Sequence, residues 1–262
     1  SRVEACSGAH EIEHPAAREI LKKYQISTGV EIHYDGDLPA RSGMGSSSAF
    51  SVGLINAISA YTGLSRSKID LAQEAIDIEQ NVLGERVGSQ DQVNAAYGGL
   101  NHILFHPGGE IEVRKVDISA NRRRELKDNL MLFYTGIVRT AETVASSYLE
   151  NLVEQRDRLT RMSRFVDEAL DIVSGDQDLE FFGELLHQNW IEKRSLSQLV
   201  SNSRVDEIYL AARSAGALGG KLTGAGGGGM MLLYVPKEHQ IQVRQKLSQL
   251  LYIPFDFTDS GS

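Results

Sequence analysis

Apolar positions recur along the chain in two rhythms, and these predict most of its elements. Residues 11–24 read as a short helix, with Pro15 at a first helical position and apolar side chains at Ala17, Ile20 and Leu21. A strand-like run follows from Val30 to Leu38. It alternates through Val30-Glu31-Ile32-His33-Tyr34, with turn residues at Asp35, Gly36 and Asp37. Phe50 to Tyr61 is apolar on most faces, with Phe50, Leu54, Ile58 and Tyr61 on one of them, which predicts a helix buried in a domain centre. Ser67 to Leu83 is the next helix, opened by a capping pair, Ser67 and Asp70. Its inward stripe reads Ile69, Ala72, Ile76, Glu79, Leu83, with Glu74 and Asp77 looking outward. A short helical piece, Val93 to Tyr97, closes at Gly98-Gly99, and a hairpin pairs 99–106 with 111–116.

In the second half, Leu130 to Tyr134 is a fully apolar strand. Thr140 to Val173 carries helical periodicity as one long helix or two with a bend, and Asp178 to Val200 and Val205 to Ser214 are further helices. A glycine-rich stretch from Gly216 to Gly229 leads into a strand, Met230 to Val235. Lys237 to Leu251 reads as a last amphipathic helix, and Phe255 to Phe257 as an edge strand.

Composition narrows the class. An apolar content of 41% in 262 residues supports a packed core in one large or two modest domains. A formal net charge of −8 argues against a nucleic-acid binder that relies on a basic surface. A single cysteine, Cys6, excludes an internal disulfide or a cysteine metal cluster, and a reducing, cytoplasmic setting fits. No apolar run has the length of a membrane span, and no signal peptide is expected. The chain opens on a polar, strand-like fragment, Arg2 to Cys6, as though joined mid-sheet, and residues are expected ahead of it.

Candidate chemistry centres on Pro39-Ala-Arg-Ser-Gly43-Met44-Gly45-Ser46-Ser47-Ser48-Ala49-Phe50. A glycine turn that opens a helix bearing hydroxyls suits phosphate, because backbone N–H groups approach the anion and the helix N-terminus adds partial positive charge. The serines serve equally well as plain N-caps. Glu79 on an inward face needs a metal or a basic partner such as Arg86. Asp91 is either an N-cap or a general base held on the polar loop 84–92. Asn189 and Lys193 fall on the apolar face of their helix and either line a cleft or snorkel to its edge. His10, His14, His102 and His106 read as surface or structural groups, and Arg122-Arg123-Arg124 as a solvated face near a domain boundary.

Gly224-x-Gly226-x-x-Gly229 matches the dinucleotide fingerprint as letters, but a helix precedes it and a strand follows, the reverse of what that site needs. No lysine follows Gly43-Met44-Gly45 as a Walker loop requires, and neither Ser46 nor Ser47 has the glycine of a nucleophile elbow. Instead, Pro39-x-x-x-Gly43-Met-Gly-Ser-Ser-Ser-Ala49 resembles the phosphate motif of the GHMP kinases, the galactokinase, homoserine, mevalonate and phosphomevalonate kinase superfamily. Lys221-Leu-Thr-Gly-Ala-Gly-Gly-Gly-Gly229 resembles their C-terminal glycine motif. Within that superfamily, Val87-Gly-Ser-Gln-Asp91-Gln92, Phe133-Tyr-Thr-Gly-Ile-Val-Arg139 and Trp190-Ile-Glu-Lys-Arg194 are similar to bacterial D-glycero-D-manno-heptose 7-phosphate kinases, with fucose-type kinases as the runner-up.

The resemblance implies an α+β, two-domain fold: a ribosomal protein S5 domain 2-like N-terminal domain over residues 1–126, short of its first strands, and a ferredoxin-like C-terminal domain over 127–262. It implies ATP and Mg2+ as cofactors and a sugar phosphate as partner, with a homodimer among the permitted assemblies. Gly43, Met44, Gly45, Ser46, Ser47 and Ser48 would hold the ATP phosphates. Ser47 and Glu79 would ligate magnesium, and Asp91 would accept or orient the sugar hydroxyl proton. Gly224, Ala225, Gly226 and Gly227 would close over the acceptor. Arg139 and Lys193 are placed at its phosphate end on chemistry alone. A nucleotide-binding relative without turnover is the alternative from another class.

Overall fold

The computed structural model describes residues 3–27, 29–37, 42–139, 141–149 and 152–262. Leu38 of the strand-like run, Pro39, Ala40 and Arg41 of the first glycine motif, Arg2 and Thr140 lie outside the described residues. Two compact units result, Ser1–Ala40 with Gly45–Gly99 and Thr258–Ser262, and Arg41–Met44 with Leu100–Phe257.

The first unit is a helical layer. Helix α1 (Pro15–Lys23) starts with His14 accepting a hydrogen bond from the Ala17 N–H. Helix α2 (Ser46–Tyr61) buries Phe50, Val52, Leu54, Ile55 and Ile58, whereas Tyr61, expected on that face, is exposed. Helix α3 (Lys68–Asp77) opens on the Ser67–Asp70 capping box and passes into a π turn, Ile78–Val82. That turn begins only after Asp77 and does not set the buried face of α3. The buried stripe is Leu71, Ala72, Glu74, Ala75, Ile78 and Glu79. Glu74 is inward because Leu71, Glu74, Ala75, Ile78 and Glu79 share one regular helical face, whereas the reading phased on Ile69 and Ile76 put it outward, and it is held by Lys23 at 3.4 Å and Arg66 at 3.1 Å and by the Tyr24 hydroxyl. Helix α4 (Gln90–Tyr97) begins earlier than the sequence suggests, so Asp91 sits in its first turn rather than on a loop. The expected strand at 30–38 does not form over its described residues, because no strand there pairs with it.

The second unit carries both sheets. Strands β1 (Asn101–Phe105) and β2 (Ile111–Lys115) form the expected hairpin. Helix α5 (Ala120–Asp128) then leads into β3 (Leu130–Tyr134). The long periodic stretch is two helices, α6 (Ala141–Leu149) and α7 (Arg156–Ser174), followed by α8 (Glu180–Arg194) and α9 (Ser203–Ser214). The Gly216–Gly229 stretch is not all loop: β4 (Gly219–Leu222) pairs with β5 (Met230–Tyr234). The last helix, α10 (Gln240–Lys246), is short, and the edge strand is β6 (Leu251–Ile253), not 255–257. The main sheet is antiparallel in the order β4-β5-β3-β6, with Leu132 opposite Leu232 at its centre.

The core of this unit packs Met131, Phe133, Trp190, Ile208, Met231 and Leu233 together, and a second cluster joins Val116, Leu126 and Leu130 to Tyr234. Leu126 and Val116 bind α5 and the end of the hairpin to the main sheet. The units accordingly part at 99/100, while the 126/127 boundary expected from the sequence falls within the second unit. Arg122 is no solvated residue: its guanidinium donates to the carbonyls of Ile172 and Val173 at the end of α7 and of Gln177 beyond it.

Candidate active site

In the first unit the π turn places Glu79 beside the first turns of α2 and α4. Glu79 is 2% exposed. Its Oε2 accepts from the Ser48 hydroxyl at 3.0 Å and from the Gln92 amide at 2.6 Å. Its Oε1 is buried and has no hydrogen-bond partner. Glu79 is thus held by neutral donors and not by Arg86, and a buried carboxylate in that condition is costly unless a cation supplies the missing contact. Ser48, rather than the exposed Ser47, is the hydroxyl on Glu79. Neighbouring positions in the first turn of α2 diverge by about 100°, which the sequence pattern could not resolve.

Asp91 adjoins this pair. Burial, and then the charge of Glu79, push its carboxyl above the ordinary aspartate range. Gly45 precedes α2 at φ +68°, and a β-carbon there would lie 3.0 Å from Asp91 Cγ and 3.2 Å from its Oδ2. Glycine at 45 therefore keeps space in front of Asp91. It also leaves the first N–H groups of α2, at Ser46, Ser47 and Ser48, without a side-chain cap. Free N–H groups at a helix start, a carboxylate oxygen without a partner and a hydroxyl are hard-oxygen and anion-binding chemistry in one place. Among the described residues no cluster of three His, Cys, Asp or Glu side chains forms, so a divalent ion here would rely on one carboxylate with a hydroxyl and other oxygens.

The second unit gathers the other expected residues. Gly224, Gly226 and Gly227 take φ values of +62°, +111° and +77°. A β-carbon on Gly226 would meet Val200 O at 2.8 Å, and the Gly227 N–H donates to the same carbonyl. Ala225 packs on the core cluster. Arg139 is exposed, with its stem against Gly227. Lys193 is buried, and its ammonium donates to Leu222 O at 3.0 Å and Gly224 O at 2.5 Å. Gly43 and Met44 lie against Thr223, whose carbonyl would stand 3.3 Å from a β-carbon at 43.

Comparison with known proteins agrees with both halves. The GHMP kinases N terminal domain matches residues 11–99, and the GHMP kinases C terminal domain matches 150–253. A D-glycero-alpha-D-manno-heptose 7-phosphate kinase of Campylobacter jejuni is 30% identical over 234 residues, covering 88% of this chain and 69% of the relative. The chain belongs to the GHMP kinases. A mevalonate kinase of Pyrococcus abyssi is 29% identical, over 87% of this chain and 67% of its own length. The crystal structure of a putative sugar kinase from Campylobacter jejuni superposes with a TM-score of 0.73 at 28% identity, covering 94% of this chain and 72% of that one. The two-domain α+β architecture is that of these kinases, which are ATP-dependent.

Gln92 was not singled out from the sequence as a site residue. Its signal is faint: a glutamine in the first turn of a helix, next to the candidate base, whose burial only the fold reveals.

Proposed function

We propose that this chain transfers the γ-phosphoryl group of ATP to the anomeric hydroxyl of a heptose phosphate, D-glycero-D-manno-heptose 7-phosphate, giving the 1,7-bisphosphate used for surface polysaccharide precursors. The observation that carries the kinase chemistry is the buried, partnerless Oε1 of Glu79 beside Asp91. The similarity to the heptose 7-phosphate kinase supports the choice of acceptor.

Gly45 and the N–H groups of Ser46 to Ser48 bind the nucleotide phosphates, with Gly43 and Met44 lending the turn before them. Glu79, with Ser48 and Ser47 as the hydroxyls at hand, would hold Mg2+, which neutralises phosphate charge when bound. Asp91 orients the acceptor hydroxyl and takes its proton. A carboxylate of raised pKa is a better proton acceptor than an ordinary one. Gly224 to Gly227 offer backbone to the acceptor, and Arg139 supplies a cation at the edge of that loop.

Coupled measurement of ADP release tests this with heptose 7-phosphate, L-fucose and mevalonate as acceptors. The reading requires turnover with the heptose phosphate at a kcat/KM at least tenfold above the others. Preference for mevalonate, which the Pyrococcus relative makes the natural rival, refutes the acceptor. Nucleotide binding without turnover on any acceptor refutes the kinase.

A further inference from the structure

Several cations elsewhere in this protein have acidic partners. Lys23 and Arg66 meet Glu74, Arg158 and Arg161 meet Glu192, and Lys237 meets Asp128. Lys193 and Lys221 have none among the described residues, and unlike Arg122, whose guanidinium donates to three main-chain carbonyls, they belong to one cluster. Lys193, from α8, is 9% exposed and donates only to the carbonyls of Leu222 and Gly224. Lys221, from β4, is half-buried and donates to the Asn189 side-chain oxygen at 3.2 Å. Asn189 stands one turn before Lys193 on the same helix, and Leu222 follows Lys221 on the strand, so both ammonium groups gather at the base of the Gly224–Gly227 loop. Neither pairs with a carboxylate among the described residues. Each ammonium has three donors, so each keeps at least one without a protein acceptor.

Two like charges drawn out of water with no counter-charge are costly. A fold that keeps them is organised for an anion that arrives from outside. We propose that Lys193 and Lys221 form a phosphate-binding site at the base of the Gly224–Gly227 loop, one that takes a phosphate monoester. That the monoester is the acceptor's own phosphate rests on the kinase reading above; the site itself does not. Burial, and then the neighbouring charge of Lys221, lower Lys193 to about 7, and burial lowers Lys221 as well. An anion between them reverses both effects, so bound phosphate draws protons onto the pair. Because Lys193 also holds Gly224 O, occupancy of the site is linked to the placement of the loop.

Side-chain nitrogen NMR of the whole, unmodified chain tests the site. The Nζ resonances of Lys193 and Lys221 are followed while inorganic phosphate is titrated at constant ionic strength, with chloride as the control. The expected result is a saturable upward move of both titration midpoints, with phosphate affinity at least tenfold weaker in Lys221→Met. Midpoints that ignore phosphate, or that chloride moves equally, overturn the site, whether or not the variant folds. Displacement of phosphate by heptose 7-phosphate supports the acceptor as its source. Displacement by ADP alone overturns that assignment. Absence of turnover with heptose 7-phosphate counts against the kinase reading and leaves the phosphate titration standing.

Discussion

Two glycines in α2 and its approach make opposite predictions for the same substitution. Gly45 has φ +68°, and an added β-carbon would come within 3.0 Å of Asp91 Cγ and 3.1 Å of its Cβ. Gly53 lies inside the helix with no atom within 4 Å of where its β-carbon would go. For Gly45→Ala, the left-handed backbone costs about 1–2 kcal/mol. The contact with Asp91 adds to this, because relief requires the carboxylate to move by a few tenths of an ångström. A loss of about 2–3 kcal/mol is expected. Gly53→Ala instead gains about 0.5–1 kcal/mol from helix propensity. Trp190, the sole tryptophan, belongs to the second unit, so its fluorescence is the wrong probe. Amide hydrogen exchange along α2 and α4 is the right one. Gly45→Ala should also lower kcat/KM by about tenfold or more through the displaced Asp91, with Gly53→Ala near wild type. Equal protection and equal activity in the two variants would refute the packing described for Gly45.

Other perturbations follow from the same contacts. Asp91→Asn should stabilise the first unit at pH 7 by about 0.5–2 kcal/mol while abolishing turnover. The folded-state pKa of Asp91 is raised, so the native state holds the proton more tightly than the unfolded chain. Stability from this group is therefore present at low pH and lost as pH rises through the raised pKa, and the advantage of the variant should shrink on acidification in hydrogen exchange at several pH values. Glu74→Ala removes the buried acid shared by Lys23, Arg66 and Tyr24 and should cost about 1–3 kcal/mol by urea unfolding monitored by circular dichroism, discounted because both cations are partly exposed. Gly261→Val should loosen the tail from α4, since its β-carbon would fall 2.4 Å from Ala96 O. Faster exchange at Ser262, whose N–H bonds Ala95 O, is the readout.

The apolar strand β3 was legible in the sequence to the residue, and β5 to within one, because unbroken apolar runs leave few alternatives. The burial of α2 and the inward turn of Glu79 were legible too. Glu79 was placed inward by a regular helical count, and the structure keeps it there, but the count was phased on Ile69 and Ile76 and so sent Glu74 to the wrong face. Apolar residues on two adjacent faces, Ile69 and Ile76 against Leu71, Ala75 and Ile78, leave that phase open in the sequence. Strand β4 was missed because Gly219-Gly220-Lys221-Leu222 lacks the β-branched residues that signal a strand. Its glycines are there for close approach, as Gly219 would place a β-carbon 1.9 Å from Gly183 O. Asp91 was found by its motif and Ser48 only within a run of three serines, since choosing among them depends on which hydroxyl faces Glu79.

The kinase reading stands on Asp91 acting beside a nucleotide held by its neighbours. Its most direct test is Asp91→Ala, assayed in parallel for ADP release with heptose 7-phosphate and for ATP binding by calorimetry. Turnover reduced at least a thousandfold, with the ATP dissociation constant changed less than threefold, is the predicted outcome. Turnover within tenfold of the unmodified protein would contradict it.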